Sequence, residues 1–389
     1  MALPDDIAAA APSSGCPGLM VLAVQGTGES SPGANPLVPG GMLGTMVGPM
    51  LAQGVGIETV TIPYEASFGG APGTGAGTAP FAASVEQASA ALYAAATDVV
   101  ARCPDTLLGV AAYSQGAMAA SEFARQVGAG EGPVPADRVA GIALFSDGTR
   151  PVGSGAFPGA PGQMTPAPAP GTDGAATSRV RIGVPPTSGG LAADETGFGE
   201  LTGRVGEFCA PGDLACDAPG RAAVLRTAAG LAAQADLRDP IAAVNSLGGA
   251  WQQTVAAATA TVVLEDIHVD GGAVNYVPVE TISDRVADAA DPRASVPDEG
   301  QAQAVTAKVD RIVAAVVADP VGQLPQLAAQ VGAAIGANIA ANGDLLDPAT
   351  VGNYVDVIGH HTSYGTGATG QAAEWFGALS RDIATGGGL

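Results

Sequence analysis

Positive charge is scarce in this chain: 15 lysines and arginines stand against 37 aspartates and glutamates, a net charge of -22 at pH 7. A field of that sign repels nucleic acid and anionic lipid headgroups, and no basic patch offsets it, so nucleic-acid partners are excluded first. Long apolar runs are missing too. Residues 91 to 102 carry Asp98 and the Ala-rich run 327 to 341 is short, so both suit buried helices better than a transmembrane segment. The opening Met1-Ala2-Leu3-Pro4-Asp5-Asp6 lacks a positive region followed by an apolar one, and is expected to be a mature start after removal of a leader. Aromatic residues make up 4% and charged residues 13%, while 57 glycines and 30 prolines imply extensive irregular loop. CxxC spacing is absent and the three histidines lie away from every cysteine, which argues against a zinc site.

What remains is a 389-residue chain with 47% hydrophobic content, enough for a sizeable core and an added subdomain. Its four cysteines allow three pairings. Cys209 and Cys216 enclose the turn-forming Ala-Pro-Gly-Asp-Leu-Ala, which can bring their sulfurs together. Cys16 and Cys103 would then join the start of the chain to the segment before a strand. Disulfides imply an oxidising compartment, hence secretion or the cell envelope.

Compact apolar runs at residues 19 to 25, 57 to 62, 106 to 113 and 138 to 145 read as buried strands. Helical spacing fills 81 to 101, with Ser84 and Gln87 resembling a capping box, and a further helix follows Ser114 through Met118, Phe123 and Val127. This alternation predicts a parallel sheet with helices on both faces. Residues 151 to 200 are rich in Pro, Gly, Ala and Thr, with one short strand candidate at 178 to 184, and are expected to be a surface excursion or a flap. Order returns at 203 to 208. From 221 to 350 helical patterns dominate, at 222 to 235, 240 to 258, 281 to 290, 301 to 316 and 324 to 341, and one more helix follows at 372 to 384. The expected organisation is a core of residues 16–220 and 351–389 interrupted by a helical insertion, 221–350.

The sharpest chemical signal is Ala112-Tyr113-Ser114-Gln115-Gly116. A serine between a strand and a helix, with small residues two before and two after, can project its hydroxyl above a sheet, although Ala112 stands where G-x-S-x-G has glycine. Such a serine needs a base. His268 lies in an acidic stretch of the insertion, whereas His360 and His361 lie between two core-like segments. Adjacent histidines do not readily point the same way, so one is expected as base and the other as a neighbour. Among the carboxylates Asp213 stands out, because a cysteine-closed loop would fix its position.

Gln25-Gly26-Thr27-Gly28-Glu29, Tyr113-Ser114-Gln115-Gly116, Cys209-x-x-x-Asp213-x-x-Cys216 and His361-x-x-Tyr364 occur in this order. Together they resemble the cutinase-like serine esterases of the α/β-hydrolase superfamily, particularly their actinobacterial branch. The resemblance covers residues 16 to 149, about 200 to 216, and 355 to 389. It implies a three-layer α/β sandwich with Ser114 as nucleophile, Asp213 as acid and His361 rather than His360 as base. It places the oxyanion hole at Thr27 and Gln115, pairs Cys16 with Cys103 and Cys209 with Cys216, and requires no cofactor or metal. A small family member has only a short loop between acid and base, so the insertion is a departure. Its helices are expected to roof an acyl pocket, which suits lipid or mycolate-type glycolipid esters of the envelope. The alternatives are a short-chain carboxylesterase or polyester hydrolase, and a non-catalytic envelope-binding protein that keeps the fold.

Overall fold

Five apolar stretches become the strands of one parallel sheet: β1 (Leu19–Val24), β2 (Ile57–Thr61), β3 (Leu107–Tyr113), β4 (Val139–Phe145) and β5 (Val205–Phe208), in the order β2-β1-β3-β4-β5. All but β2 have little or no exposed surface on either face, which is why their sequences run apolar instead of alternating. Helices cover both faces. On one, α2 (Phe81–Arg102) and α3 (Gln115–Ala129) bury Leu92, Ala96, Phe123 and Val127 against the sheet. On the other lie α1 (Gly41–Gln53), with Met42, Leu43, Met46 and Met50, and the closing helix Ala368–Gly386, with Trp375, Phe376 and Leu379. The three-layer α/β-hydrolase architecture expected from the sequence is the one observed. The computed structural model describes residues 15–365 and 367–386, so the expected mature start at residues 1 to 6 lies outside the described residues.

Two sequence expectations need correction in this sheet-bearing part. The helix around residue 81 begins at Phe81 with Pro80 as its cap, so Ser84 is not a cap residue. It is fully buried, its hydroxyl donating to Gln115 Oε1 (3.1 Å) and accepting from the Ser67 N–H (3.0 Å). The candidate strand at 178 to 184 is absent: Thr177–Arg179 is a 3₁₀ turn, and residues 180 to 184 join neither sheet. Side chains replace the missing ladder there, the Asp382 carboxylate accepting from the N–H groups of Ala176 (2.7 Å) and Thr177 (2.8 Å). Within the 151 to 200 stretch, Phe157, Val180, Ile182 and Phe198 are buried in the core.

The described residues group into two compact units, one within 15–218 and 353–386, the other Pro219–Gly352. The second unit holds α4 (Ala223–Ala233), α5 (Pro240–Thr261), the hairpin β6 (Ile267–Asp270) and β7 (Ala273–Tyr276), α6 (Ile282–Ala290), α7 (Glu299–Ala318) and α8 (Pro320–Ala341). Polar residues before these helices cap them: Asp239 before α5, Thr281 before α6, and Asp298 before α7 in a reciprocal box with Gln301. Gln323 and Gln330 of α8 accept from the N–H groups of Val274 and Tyr276 (both 2.8 Å), covering the free edge of the hairpin. The two ends of the unit are fastened to each other. Arg221 N and Nε donate to the Asp344 carboxylate (2.8 and 2.9 Å), the Asp344 N–H donates to Arg221 O (3.1 Å), and Val224 N–H donates to Asn342 Oδ1 (2.9 Å).

Candidate active site

Ser114 stands between β3 and α3 with a left-handed backbone, φ 54°. That conformation is costly for a residue with a Cβ, and a strand must turn this sharply into a helix for the hydroxyl to project above the sheet. Close packing explains the following glycine: a Cβ on Gly116 would lie 2.3 Å from the Val24 carbonyl oxygen. Ala112 needs no such relief. It is buried within β3, in register with Val24 and Leu144.

The Ser114 Oγ lies 2.9 Å from His361 Nε2, and His361 Nδ1 lies 2.8 Å from Asp213 Oδ1. Three separate parts of the chain thus form one relay in the geometry of a serine-hydrolase triad. His361 ends the short helix Val357–His361, and Tyr113 OH donates to its carbonyl oxygen (2.8 Å). His360 takes no part in this relay: its ring lies against Gly212, where an added Cβ would come 2.9 Å from its Cδ2. His268 is on β6 in the second unit, exposed.

Asp213 sits in the loop closed by the Cys209–Cys216 disulfide, and a second disulfide joins Cys16 to Cys103. The Asp213 side chain is fully buried. Burial opposes its ionisation most strongly, but hydrogen bonds and charge from His361, with hydrogen bonds from Ser146 and Tyr364, outweigh it and hold the carboxyl below its usual range. Tyr364 OH donates to Asp213 Oδ2 (2.6 Å) and accepts from the Ala210 N–H (2.9 Å), so it ties the acid to its own loop. Burial, followed by the charge of Asp213, raises the Tyr364 pKa and keeps the phenol a donor.

The loop after β1 approaches the nucleophile closely: a Cβ on Gly26 would lie 3.4 Å from the Ser114 Cβ. Thr27 follows it, half-buried. Glu29 fixes this loop by accepting from the N–H groups of Gly26 (3.2 Å) and Met42 (2.9 Å), the latter at the start of α1. The Gln115 side chain is committed elsewhere, with Nε2 donating to Ser67 O (2.9 Å) and Oε1 accepting from Ser84. Its backbone N–H lies in the first turn of α3, next to Ser114.

Other contributors carry no short-range sequence signal. Ser146, directly after β4, places its Oγ 3.0 Å from His361 Nδ1. Beneath it lies a buried ionic cluster. The Arg150 guanidinium donates to the carbonyl oxygens of Cys216 (2.9 Å), Pro186 (2.9 Å) and Ser188 (2.5 Å), and so binds the Asp213 loop to the 151 to 200 stretch. Arg125 of α3 donates to Thr196 O (3.0 Å) and Asp194 O (3.1 Å) in the same stretch. Asp147 and Glu207 complete the cluster; burial raises the pKa of both, and neither Glu207 oxygen has a hydrogen-bond partner.

The chain is similar to known proteins over part of its length. The chain is 32% identical over 220 residues to the carboxylesterase Culp6 homolog of Corynebacterium glutamicum, covering 52% of this chain and 66%, slightly under two thirds, of that protein. Among solved structures it is similar to the catalytic core domain of acetyl xylan esterase from Trichoderma reesei, at 20% identity and TM-score 0.37, with 60% of this chain and 98% of that one covered. It is also similar to a cutinase-like protein from Cryptococcus sp., at 22% identity and TM-score 0.34, with 53% and 82% covered. The profile of the family described as Cutinase matches residues 15–227, more than half of the sequence, and the chain therefore belongs to the cutinase family.

Proposed function

We propose that this protein is a serine esterase that cleaves carboxylic esters through an acyl-enzyme intermediate. The observation that carries this reading is the relay from Ser114 through His361 to Asp213 on a left-handed strand-to-helix turn. Ser114 attacks the ester carbonyl carbon while His361 Nε2 takes its proton. Asp213 holds the other ring nitrogen and favours the imidazolium. The Gln115 N–H and Thr27, through its N–H or hydroxyl, receive the negative charge of the tetrahedral intermediate; one donor of this kind is worth about 3 kcal/mol of barrier. Collapse expels the alcohol, protonated by His361, and water activated by the same imidazole then releases the acid. A sugar hydroxyl in place of water would give acyl transfer with the same residues. The Corynebacterium relative is named as a carboxylesterase, which agrees with this chemistry.

For the substrate we favour lipid or mycolate-type esters of the cell envelope. The support is the surface of the second unit. Apolar side chains such as Val255, Val313, Val321 and Ile335 are exposed there. A groove of about 730 Å³ between α5 and the start of α7 is lined mainly by apolar residues, including Trp251, Val255, Ala256, Val296, Pro297 and Val305. Its size and lining suit an aliphatic chain. An extracytoplasmic location fits the two disulfides.

The test is to treat the purified protein with a fluorophosphonate probe and to compare short nitrophenyl esters with trehalose mycolates. Labelling confined to Ser114, lost in Ser114→Ala, with faster turnover of the long-chain ester, is the expected result. An unlabelled serine would favour a non-catalytic binding protein. Labelling with turnover of short esters alone would favour a short-chain carboxylesterase.

A further inference from the structure

The end of β4 touches both halves of the catalytic relay. The Phe145 carbonyl oxygen accepts from the Ser114 N–H (2.8 Å), and the next residue, Ser146, sets its Oγ 3.0 Å from His361 Nδ1. The Ser146 N–H in turn donates to Phe208 O (2.9 Å), fastening this junction to β5 just before the loop that carries Asp213. Ser146 is fully buried and adopts φ 57°, a left-handed backbone that glycine would occupy without strain. A hydroxyl is therefore kept where backbone geometry alone would favour no side chain.

We infer that Ser146 is a positioning residue of the esterase relay, its hydroxyl oxygen giving the imidazole of the base a second partner beside the carboxylate of the acid. For Nε2 to accept the Ser114 proton, Nδ1 must carry hydrogen, and that N–H faces two acceptors, Asp213 Oδ1 at 2.8 Å and Ser146 Oγ at 3.0 Å. The carboxylate alone would hold the Nδ1 side of the imidazole by one hydrogen bond. A second oxygen from a different strand fixes both its tilt and its tautomer, and small misplacements of a base are costly in rate. No bond is made or broken at Ser146, and its effect passes through His361. The inference rests on the proposed esterase function for its kinetic consequences only.

Two variants separate this role from a structural one. Ser146→Gly removes the hydroxyl and the backbone strain together, whereas Ser146→Ala removes the hydroxyl and keeps the strain. Both are expected to lose about tenfold or more in kcat with little change in KM. Ser146→Gly should melt at a higher temperature than Ser146→Ala. The downfield proton NMR signal of the His361 Nδ1–H should shift or broaden in both variants, and this readout needs no turnover. An unshifted signal in either variant, or full wild-type kcat in either, overturns the inference. Absence of ester turnover in the wild type would instead count against the esterase function, with the NMR comparison still deciding the role of Ser146.

Discussion

Glu207 is held in β5 with both carboxyl oxygens buried and unpartnered, and burial, then the neighbouring Asp147, pushes its pKa well above the ordinary 4.5. In the folded state it keeps its proton to a higher pH than in the unfolded chain. Its contribution to stability is therefore intact below about pH 4.5 and is lost as pH rises toward the folded value. Glu207→Gln mimics the protonated form and should remove that slope. Its melting temperature should match the wild type near pH 4 and exceed it increasingly as pH rises, by an amount corresponding to about 1–3 kcal/mol. Thermal melts across pH check this, and parallel curves would refute it. Glu207 and Ser146 also mark the limit of what single residues disclose. Ser114 could be read from its flanks and Asp213 from its bracketing cysteines, because both signals are local. The choice of His361 over His360 came from family resemblance alone. Ser146 matters only because the end of β4 lies between the nucleophile's strand and the acid's, an adjacency set by strand order.

At the scale of elements, the two disulfides do different work. Cys16–Cys103 spans 87 residues and ties the start of β1 to the end of α2, while Cys209–Cys216 spans 7 and encloses Asp213. Loop-closure entropy assigns the first about 4.5 kcal/mol of stabilisation and the second about 2.5 kcal/mol. Replacing each pair by serines should thus rank them oppositely by two measurements. Loss of Cys16–Cys103 should lower the denaturation midpoint more, and loss of Cys209–Cys216 should lower kcat more, since the acid loses its rigid loop. Denaturant titration and initial rates on a short ester check the ranking. Elements were legible where pattern and packing agreed, as in the buried strands and the Ala-rich helices. The sequence shows little sign of α1, with three glycines and Pro49 inside, and its helix rests on burying methionines against the sheet. The β6–β7 hairpin did carry a signal, the Asp270-Gly271-Gly272 turn between short alternating runs, with both glycines at positive φ. The strong helical patterns on either side obscured it.

For the whole molecule, the parallel α/β core was legible because strand and helix alternate with a period that only such a sheet satisfies. The 151 to 200 stretch was not, since its order comes from Arg125, Arg150 and Asp382, which bind its backbone from distant points in the chain. The role of the second unit as an acyl-chain platform is a proposal with a direct test. Exchanging residues 221 to 344 for a short Gly/Ser linker should leave a cooperatively melting protein that hydrolyses short nitrophenyl esters at a comparable rate. Preference for long acyl chains should disappear. Retained long-chain preference would move the acyl site into the sheet-bearing unit. The design is practicable because Arg221 meets Asp344 at one end of the excursion, and Tyr354 OH donates to Asp217 O (2.8 Å) where the chain leaves and rejoins the sheet-bearing unit. To that unit the whole helical excursion is topologically equivalent to a tight turn. A lineage could lengthen, exchange or discard it, and so retune substrate choice, without rewriting any residue of the catalytic relay.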